Sequence, residues 1–194
     1  MLRCLLAVVV GLVSGLAPMT AASIPRPSPE FAVKLTTGRQ LLLSSYRGKV
    51  VVLMFIATDC EHCQKTCREI MEPLQKQYGP RNFQTLAVAF NQMAVMLVPD
   101  FIKKTGVTFP VGADTLESVY AYLGRSTTLR TYVPIMVFID RKGIIRSQYL
   151  GDDKGFLANP EKRIRNSIEP LLKEPARGAA PAPRTSPAGK KKAS

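Results

Sequence analysis

The chain has 194 residues, of which 46% are hydrophobic and 21% charged, and its formal net charge at pH 7 is +13. These proportions are those of one globular domain with additional segments. Beyond the N-terminus no apolar run reaches about 18 residues and no repeat recurs at about 20 to 50 residues, which excludes multi-pass membrane proteins and solenoids.

Residues 1–22 have the pattern of a secretory signal peptide. Arg3 precedes an apolar run over 4–17, and small residues follow as far as Ala22. A run of about 14 residues is typical of a signal peptide and short for a membrane span. Thr20 stands where alanine is preferred before a cut after Ala22, so cleavage and an uncleaved anchor both stay open. In either case we expect the rest of the chain to be periplasmic or secreted.

The cysteines are clustered rather than spread along the chain. Cys4 lies in the predicted signal peptide, and Cys60, Cys63 and Cys67 fall within eight residues. A structural disulfide framework would distribute its cysteines to close long loops. The clustering therefore indicates a reactive role.

Two segments flank a predicted domain over 30–174. Residues 23–29 are rich in Pro and Ser and predict a linker. The tail over 175–194 is rich in Ala and Pro without an apolar period, which predicts disorder. Its Lys190, Lys191 and Lys192 are candidates for a weak contact with an anionic membrane, although the composition favours a solubilising end.

The domain begins with strand patterns. Residues 31–34 and 40–43 predict a β-hairpin around the turn at 36–38. The continuous apolar run over 50–57 predicts a strand that is covered on both faces, at the centre of a parallel or mixed sheet.

A helix follows this central strand. The sequence TDCE at 58–61 matches a capping box, which predicts a helix that begins at Thr58 or Asp59 and has Cys60 in its first turn. Pro73 predicts a kink. Its buried stripe follows a period of about 3.6 residues and comprises Cys63, Cys67, Ile70, Met71, Leu74 and Tyr78.

The remainder of the domain continues to alternate between strands and helices. Such an alternation is typical of an α/β sandwich. The predicted elements are, in order, a strand at 83–90, a helix at 93–105 that is broken at or begins at Pro99, an extended segment at 107–111, a helix from the cap Asp114 to Gly124, a hairpin at 135–140 and 144–150, and a helix at 161–173 interrupted near Pro170.

The spacing of the cysteines favours one redox pair. The first turn of a helix can bring the Cβ atoms of Cys60 and Cys63 to the separation of about 3.5 to 4.5 Å that a disulfide needs. Cys63 and Cys67, at i and i+4, would be about 5 to 6 Å apart, too far without strain. As a structural clip the four-residue ring would contribute only about 2 kcal/mol, so redox chemistry explains the spacing better.

The helix end assigns different roles to the two cysteines. Free N–H groups and the helix dipole would stabilise the thiolate of Cys60, the predicted nucleophile, while Cys63 lies one turn inward as the predicted resolving cysteine. Protonated His62 would lower the pKa of Cys60 and Glu61 would raise it. For His62 this tuning role and that of an ordinary exposed polar residue both stay open.

Four segments carry a resemblance to a known family. The chain resembles the TlpA-like, redoxin-type branch of the thioredoxin superfamily over about 30–172. The resemblance implies a thioredoxin-like α/β fold, with a central mixed β-sheet flanked by helices and the hairpin as an N-terminal extension. The matching segments are SYRGK at 45–49, VVLMFIATDCEHC at 51–63, GVTFPVGAD at 106–114 and YVPIMVFIDRKG at 132–143.

The same resemblance implies an activity. Proteins of this branch are exported thiol–disulfide oxidoreductases, which exchange disulfides with protein thiols, communicate with an upstream redox donor or acceptor, and need no metal or organic cofactor. We expect a monomer. In this family a cis-proline faces the cysteines, and its counterpart here is Pro134 after Val133. A cis bond would leave the backbone of Val133 free to pair with an extended peptide; otherwise Pro134 is an ordinary proline at the start of a strand.

Several residues depart from the family pattern. Asp59 replaces the usual Trp, and Glu61 replaces a proline. Met54 stands where thioredoxin keeps a buried Asp, and 91–92 (Asn-Gln) falls where many TlpA-like proteins place a buried Glu. His62 before the second cysteine resembles the strong oxidant DsbA, whereas this branch is more often reducing. Substrate preference and the direction of electron flow therefore stay open.

Cys67 has two interpretations. On the buried stripe it is explained by packing. Together with Cys63 it also resembles the CxxxC motif of Sco-type copper chaperones, and soft thiolates favour Cu(I). Those chaperones use a downstream histidine, and the only histidine in this chain is His62. A copper-binding assembly factor that uses Cys63 and Cys67 is the alternative function.

Two other classes of activity lack a matching motif. Peroxiredoxins activate their cysteine within P-x-x-x-T/S-x-x-C, and neither Cys60 nor Cys63 has that context. Nucleic-acid binding has only the positive charge in its favour, and export argues against it. We expect neither peroxidase activity nor nucleic-acid binding as the main task.

Overall fold

The computed structural model describes residues 23–174. Strands and helices alternate along the chain, as the sequence predicts. Their bounds are β1 Arg26–Pro27, β2 Ala32–Lys34, β3 Gln40–Leu42, β4 Val50–Ile56, α1 Glu61–Lys65, α2 Glu72–Tyr78, β5 Phe83–Ala89, α3 Ala94–Thr105, β6 Val111–Ala113, α4 Leu116–Leu123, β7 Ile135–Ile139, β8 Ile144–Tyr149, α5 Lys154–Ala158 and α6 Pro160–Lys173.

Six strands form one mixed sheet in the order β1-β8-β7-β4-β5-β6. The central strand β4 is parallel to β5 and antiparallel to β7, and β5 is parallel to β6. Every residue of β4 is buried, because helices cover both faces of the sheet. The C-terminal ends of β4, β5 and β6 therefore lie along one edge together with the N-terminal end of β7. We call this edge the carboxyl edge.

The predicted hairpin forms a separate two-stranded sheet of β2 and β3. Leu35 bridges it to Gly112 of β6. A Cβ atom at Gly112 would lie 2.6 Å from the carbonyl oxygen of Lys34, so the close approach of these strands requires glycine. The thioredoxin-like mixed sheet and its N-terminal hairpin extension are as expected.

Segment 23–29 differs from the linker expected there. Within it, β1 pairs antiparallel with β8, with Arg26 opposite Ile145 and Pro27 opposite Ile144. Ser28 adds a hydrogen bond of 2.9 Å between its hydroxyl and that of Tyr122. A proline is tolerated here because β1 is an edge strand. Part of the segment is thus docked on the domain.

The kink predicted at Pro73 is a π-helical turn over Thr66–Met71, between α1 and α2. Pro73 itself lies just after this turn, inside helical chain that continues from α1 into α2, and the wider turn accommodates its missing N–H. The wide turn holds Cys67 in the core, fully buried.

Two other helices continue through prolines. The sequence predicts interruptions at Pro99 and Pro170, and both predictions are wrong, since α3 and α6 each run on as one helix. Both prolines are exposed, so water can hydrate the carbonyl group that each ring leaves without a partner.

The N-cap of α4 is Thr115, whose Oγ1 accepts a hydrogen bond of 3.2 Å from the backbone N–H of Ser118. The prediction of Asp114 as this cap is wrong. Asp114 instead accepts a bond of 2.9 Å from Nζ of Lys34, on the distant hairpin, and one of 2.8 Å from the N–H of Thr115.

The two faces of the sheet carry separate apolar clusters. One contains Cys63, Cys67 and side chains of α2, α3 and α6; the other contains side chains of the hairpin and α4, such as Val33 and Val119. The cysteines therefore belong to the helix-rich face of the domain.

Two predicted segments, the signal peptide at 1–22 and the basic tail at 175–194, lie outside the described residues and stay predictions. Between residues 23 and 174, no helix combines the length and the apolarity that a membrane crossing requires.

Candidate active site

Cys60 lies at the carboxyl edge as the N-cap of α1. Its Sγ accepts a hydrogen bond of 3.2 Å from the backbone N–H of Cys63. The predicted capping box is therefore wrong: the helix begins at Glu61, and Cys60 precedes its first turn instead of lying in it. The reason is that Thr58, the predicted cap, forms its hydrogen bonds with Asn91 and Gln64 instead. The cap geometry still directs helix N–H groups at the sulfur.

This geometry lowers the pKa of Cys60 to about 6. The main cause is the hydrogen bond with the side chain of Cys63, and burial opposes it. The backbone N–H of Cys63 and the positive charge of His62 lower the pKa further. Cys60 is partly exposed, so its thiolate is accessible to a reaction partner. Glu61 and His62 lie exposed beside it.

Cys63 and Cys67 have the opposite character. Both are fully buried. The hydrogen bond to Cys60 and burial raise the pKa of Cys63 far above its usual range. Burial, with a smaller contribution from the charge of Cys60, raises the pKa of Cys67 to about 12. At neutral pH the site therefore holds one thiolate and two thiols.

The peptide bond between Val133 and Pro134 is cis. The carbonyl oxygen of Val133 lies 4.0 Å from Sγ of Cys60. Gly151 supports this loop through a hydrogen bond of 3.0 Å from its N–H to the carbonyl of Tyr132. The structure thus brings Cys60, Cys63, Val133 and Pro134 together at the carboxyl edge.

Three hydrogen bonds hold Thr58, and none of them was predicted from the sequence. Its N–H donates to Oδ1 of Asn91 over 3.0 Å, and its hydroxyl accepts from Nδ2 of Asn91 over 2.9 Å. Its carbonyl accepts a bond of 2.8 Å from Nε2 of Gln64. We call these three residues the Thr58 clamp. The available signal was an amide residue two positions after the end of β5, at the same edge as the cysteines.

Replacing Asn91 by alanine is expected to reduce the free energy of unfolding by about 1–3 kcal/mol, because it leaves the buried N–H of Thr58 without an acceptor. Urea unfolding would measure this loss. Gln92→Ala is the matched control, since the side chain of Gln92 is exposed. Equal stabilities of the two variants would contradict the role of the clamp.

This chain lacks the buried carboxylates that related proteins have at the positions of Met54 and of 91–92. Glu72 does not take their place beside Cys63. Met54 is fully buried in the apolar cluster, as its position at the centre of β4 requires. Glu72 is buried as well, but its oxygens accept bonds from the N–H (2.8 Å) and the hydroxyl (3.0 Å) of Thr108. Glu72 therefore serves to join α2 to the loop before β6.

The copper-binding alternative gains no support from the geometry. Cys63 and Cys67 expose no surface to an incoming ion. Across residues 23–174, no group of three or more His, Cys, Asp or Glu side chains is arranged to hold a metal. Packing is sufficient to explain Cys67.

Known proteins are similar to this chain in sequence and in fold. A model of the AhpC/TSA family matches residues 24–148. The chain is 28% identical over 132 residues to "Thiol-disulfide oxidoreductase ResA" of Geobacillus thermodenitrificans, an alignment that covers 68% of this chain and 72% of that protein.

Two solved structures are similar to this chain in fold. A putative protein disulfide isomerase from Bacteroides thetaiotaomicron has a TM-score of 0.60 at 29% identity and covers 76% of this chain and 91% of its own. A putative thiol:disulfide interchange protein DsbE from Chlorobium tepidum has a TM-score of 0.63 at 24% identity, covers 76% of this chain and 96% of its own, and supports the fold alone. The chain belongs to the AhpC/TSA family and is a thiol–disulfide oxidoreductase of the thioredoxin superfamily.

Proposed function

We propose that this oxidoreductase is exported and exchanges disulfides with client proteins through a mixed disulfide at Cys60, which Cys63 resolves. The observation that carries the proposal is the asymmetry of the pair. Cys60 is partly exposed with a pKa of about 6, whereas Cys63 is fully buried with a raised pKa. An attacking thiol must be both ionised and accessible, and only Cys60 meets both conditions.

The exchange proceeds in two displacements, which run in the following direction when the oxidoreductase starts reduced and in reverse when it starts as the disulfide. The thiolate of Cys60 attacks one sulfur of a client disulfide; the client S–S bond breaks, and the second client sulfur leaves as a thiolate. Cys63 then loses its proton and attacks Sγ of Cys60. The Cys60–Cys63 disulfide forms and the first client sulfur leaves. Two electrons have passed to the client, and an upstream dithiol restores the pair.

The change at Cys60 would itself activate Cys63. In the reduced protein, the hydrogen bond to Cys60 and its charge both raise the pKa of Cys63. A mixed disulfide removes the charge of Cys60, so both contributions disappear when Cys63 has to ionise. Water reaching the site would accept the proton, in place of the carboxylate that Met54 and Asn91 do not provide.

Val133 and Pro134 would position the client, with Glu61 and His62 flanking it. The carbonyl of Val133, beside Sγ of Cys60, is available to an extended client segment by β-strand pairing. The exposed side chains of Glu61 and His62 border the same surface. Export rests on the pattern of residues 1–22, and cell fractionation of the full chain would test it.

Substrate trapping tests the roles of the cysteines. Cys63→Ser is expected to accumulate clients joined to Cys60, because the serine cannot resolve the mixed disulfide. Non-reducing gels and mass spectrometry of the captured species would measure this. Cys67→Ser is the matched control and should trap nothing. Trapping by Cys60→Ser but not by Cys63→Ser would reverse the assignment.

A further inference from the structure

Exposed apolar side chains concentrate at the start of α3. Met93, Val95 and Met96 are 59%, 63% and 69% exposed, and Leu116, at the start of α4, is 37% exposed. Of these, Met93, Val95 and Leu116 line a groove of about 710 Å³ between the ends of β5 and β6. The apolar residues that line this α3 groove are Phe90, Met93, Ala94, Val95, Ala113 and Leu116.

The backbone holds one of these side chains at a conformational cost. Met93 has φ 59° and ψ 19°, in the left-handed region that residues other than glycine rarely adopt. It is the N-cap of α3 without a side-chain cap, and its carbonyl accepts bonds from the N–H groups of Met96 (2.9 Å) and Leu97 (3.2 Å). Strained residues persist where the surroundings fix them, and they cluster at binding sites.

The α3 groove lies close to the reactive sulfur along the carboxyl edge. Strands β4, β5 and β6 are neighbours, and adjacent strands lie about 5 Å apart, which places the groove about 5–10 Å along the carboxyl edge from the end of β4. The Thr58 clamp joins the two regions directly, because Asn91 lines the groove and binds Thr58, two residues before Cys60. The groove lies on the side of Cys60 opposite the loop of Val133, since β7 and β5 flank β4.

The charges at the rim are already paired. Lys34 and Asp114 form a salt bridge of 2.9 Å across one end of the groove. The remaining lining is predominantly apolar, so the groove suits an apolar side chain better than an ionic one.

We propose that the α3 groove binds an apolar segment of the client protein, two to three residues from the cysteine that exchanges with Cys60. This inference rests on the proposed function. Exchange requires the client sulfur to touch Cys60, so the client residues next to that sulfur come within reach of the groove. An extended chain advances about 3.3 Å per residue, which converts a distance of 5–10 Å into about two to three residues.

The test uses peptides whose single cysteine carries 5-thio-2-nitrobenzoate in a disulfide. Attack by Cys60 on the peptide sulfur releases the coloured thiolate, so the second-order rate constant is read directly. One peptide has Leu at the second and third positions on both sides of the cysteine, and its partner has Ser there. The corresponding disulfide of glutathione reports on Cys60 chemistry alone.

The wild-type protein is expected to prefer the Leu peptide by about ten-fold, the effect of burying one large apolar side chain. In the double variant Val95→Ser/Leu116→Ser, this preference should fall to less than about two-fold, with an unchanged rate for glutathione disulfide. Val95→Ile/Leu116→Met should retain the preference. Leu42→Ser is the matched surface control, since Leu42 is 47% exposed and does not line the groove.

Two results would overturn the inference and leave the proposed function intact. One is a preference for Leu that the serine variant retains. The other is a dimer in sedimentation experiments that the serine variant loses, which would assign the groove to a second copy of this chain. A wild-type protein that releases no coloured thiolate from any of the three disulfides would overturn the proposed function itself.

Discussion

Iodoacetamide is expected to alkylate Cys60 of the reduced protein selectively at pH 7, with a rate that is half-maximal near pH 6. A pKa of about 6 makes Cys60 about 90% thiolate at pH 7, against about 1% for a thiol at the ordinary value of 9.0. A thiolate of lower pKa is also less nucleophilic, which offsets much of that gain and leaves an increase of about four-fold. The pH at the midpoint is therefore a sharper readout than the rate.

The measurement is pulsed alkylation between pH 4.5 and 9, with each cysteine-containing peptide followed by mass spectrometry. Below the midpoint the rate should fall about ten-fold per pH unit, because the thiol form takes over. Cys63 and Cys67 should react only after denaturation, since both are buried with raised pKa values. His62→Ala should move the midpoint upward, as the positive charge of His62 lowers the pKa of Cys60. A midpoint near pH 9, or equal labelling of all three, would contradict the assignment.

The low pKa also bears on the direction of electron flow. A stabilised thiolate favours the reduced pair, so the Cys60–Cys63 disulfide becomes a stronger oxidant than one between unperturbed thiols. Solvent screening of the partly exposed sulfur limits the size of this effect. His62 contributes to it, because its positive charge lowers the pKa of Cys60.

The parts of the fold that depend on local pattern could be predicted from the sequence. The continuous apolar run of β4 indicated a central strand, and the structure buries all of it. The hairpins of β2 with β3 and of β7 with β8 followed from short apolar segments around Gly38 and Gly143, which both have positive φ. These signals suffice because turn geometry and burial act on neighbouring residues.

The helix caps could not be predicted in the same way. Thr58 and Asp114 both have the correct local sequence for a cap, and each binds a partner far along the chain, Asn91 in one case and Lys34 in the other, although Asp114 also keeps bonds to its neighbours Thr115 and Ser118. A capping motif describes only what a side chain can bind nearby. When the sheet brings a distant donor to its edge, the neighbour in the sequence becomes the cap, as Cys60 and Thr115 do.

Some features of the candidate site could likewise be predicted from the sequence, and others could not. The spacing of Cys60 and Cys63 was visible in the sequence, and so, through the family resemblance, was the cis bond before Pro134. The Thr58 clamp was not visible, because it joins residues 33 positions apart across two strands. The support given by Gly151 was hidden for the same reason, as it depends on where β8 ends relative to the loop of Val133.

Replacing Gly151 by alanine is expected to displace that loop from Cys60. A Cβ atom at Gly151 would lie 2.6 Å from the carbonyl carbons of Tyr132 and Val133. These are backbone atoms, which cannot move aside by a change of rotamer as a flexible side chain can. We therefore expect the free energy of unfolding to fall by about 1–3 kcal/mol. A shift of the Val133 carbonyl by about 1 Å would slow exchange with peptide disulfides by about 10- to 100-fold.

Thermal unfolding and the rate of peptide exchange would measure the two effects separately. Gly79→Ala is the matched control, because its Cβ would meet only the side chain of Gln75, at 3.2 Å, and its φ of −48° suits alanine. The alkylation midpoint of Gly151→Ala should stay near pH 6, since the hydrogen bonds and the charge that lower the pKa of Cys60 come from Cys63 and His62. A slow exchange with an unchanged midpoint would thus locate the defect in client positioning rather than in the thiolate. Peptide exchange as fast as in the wild type would show that the carbonyl of Val133 has no part in holding the client.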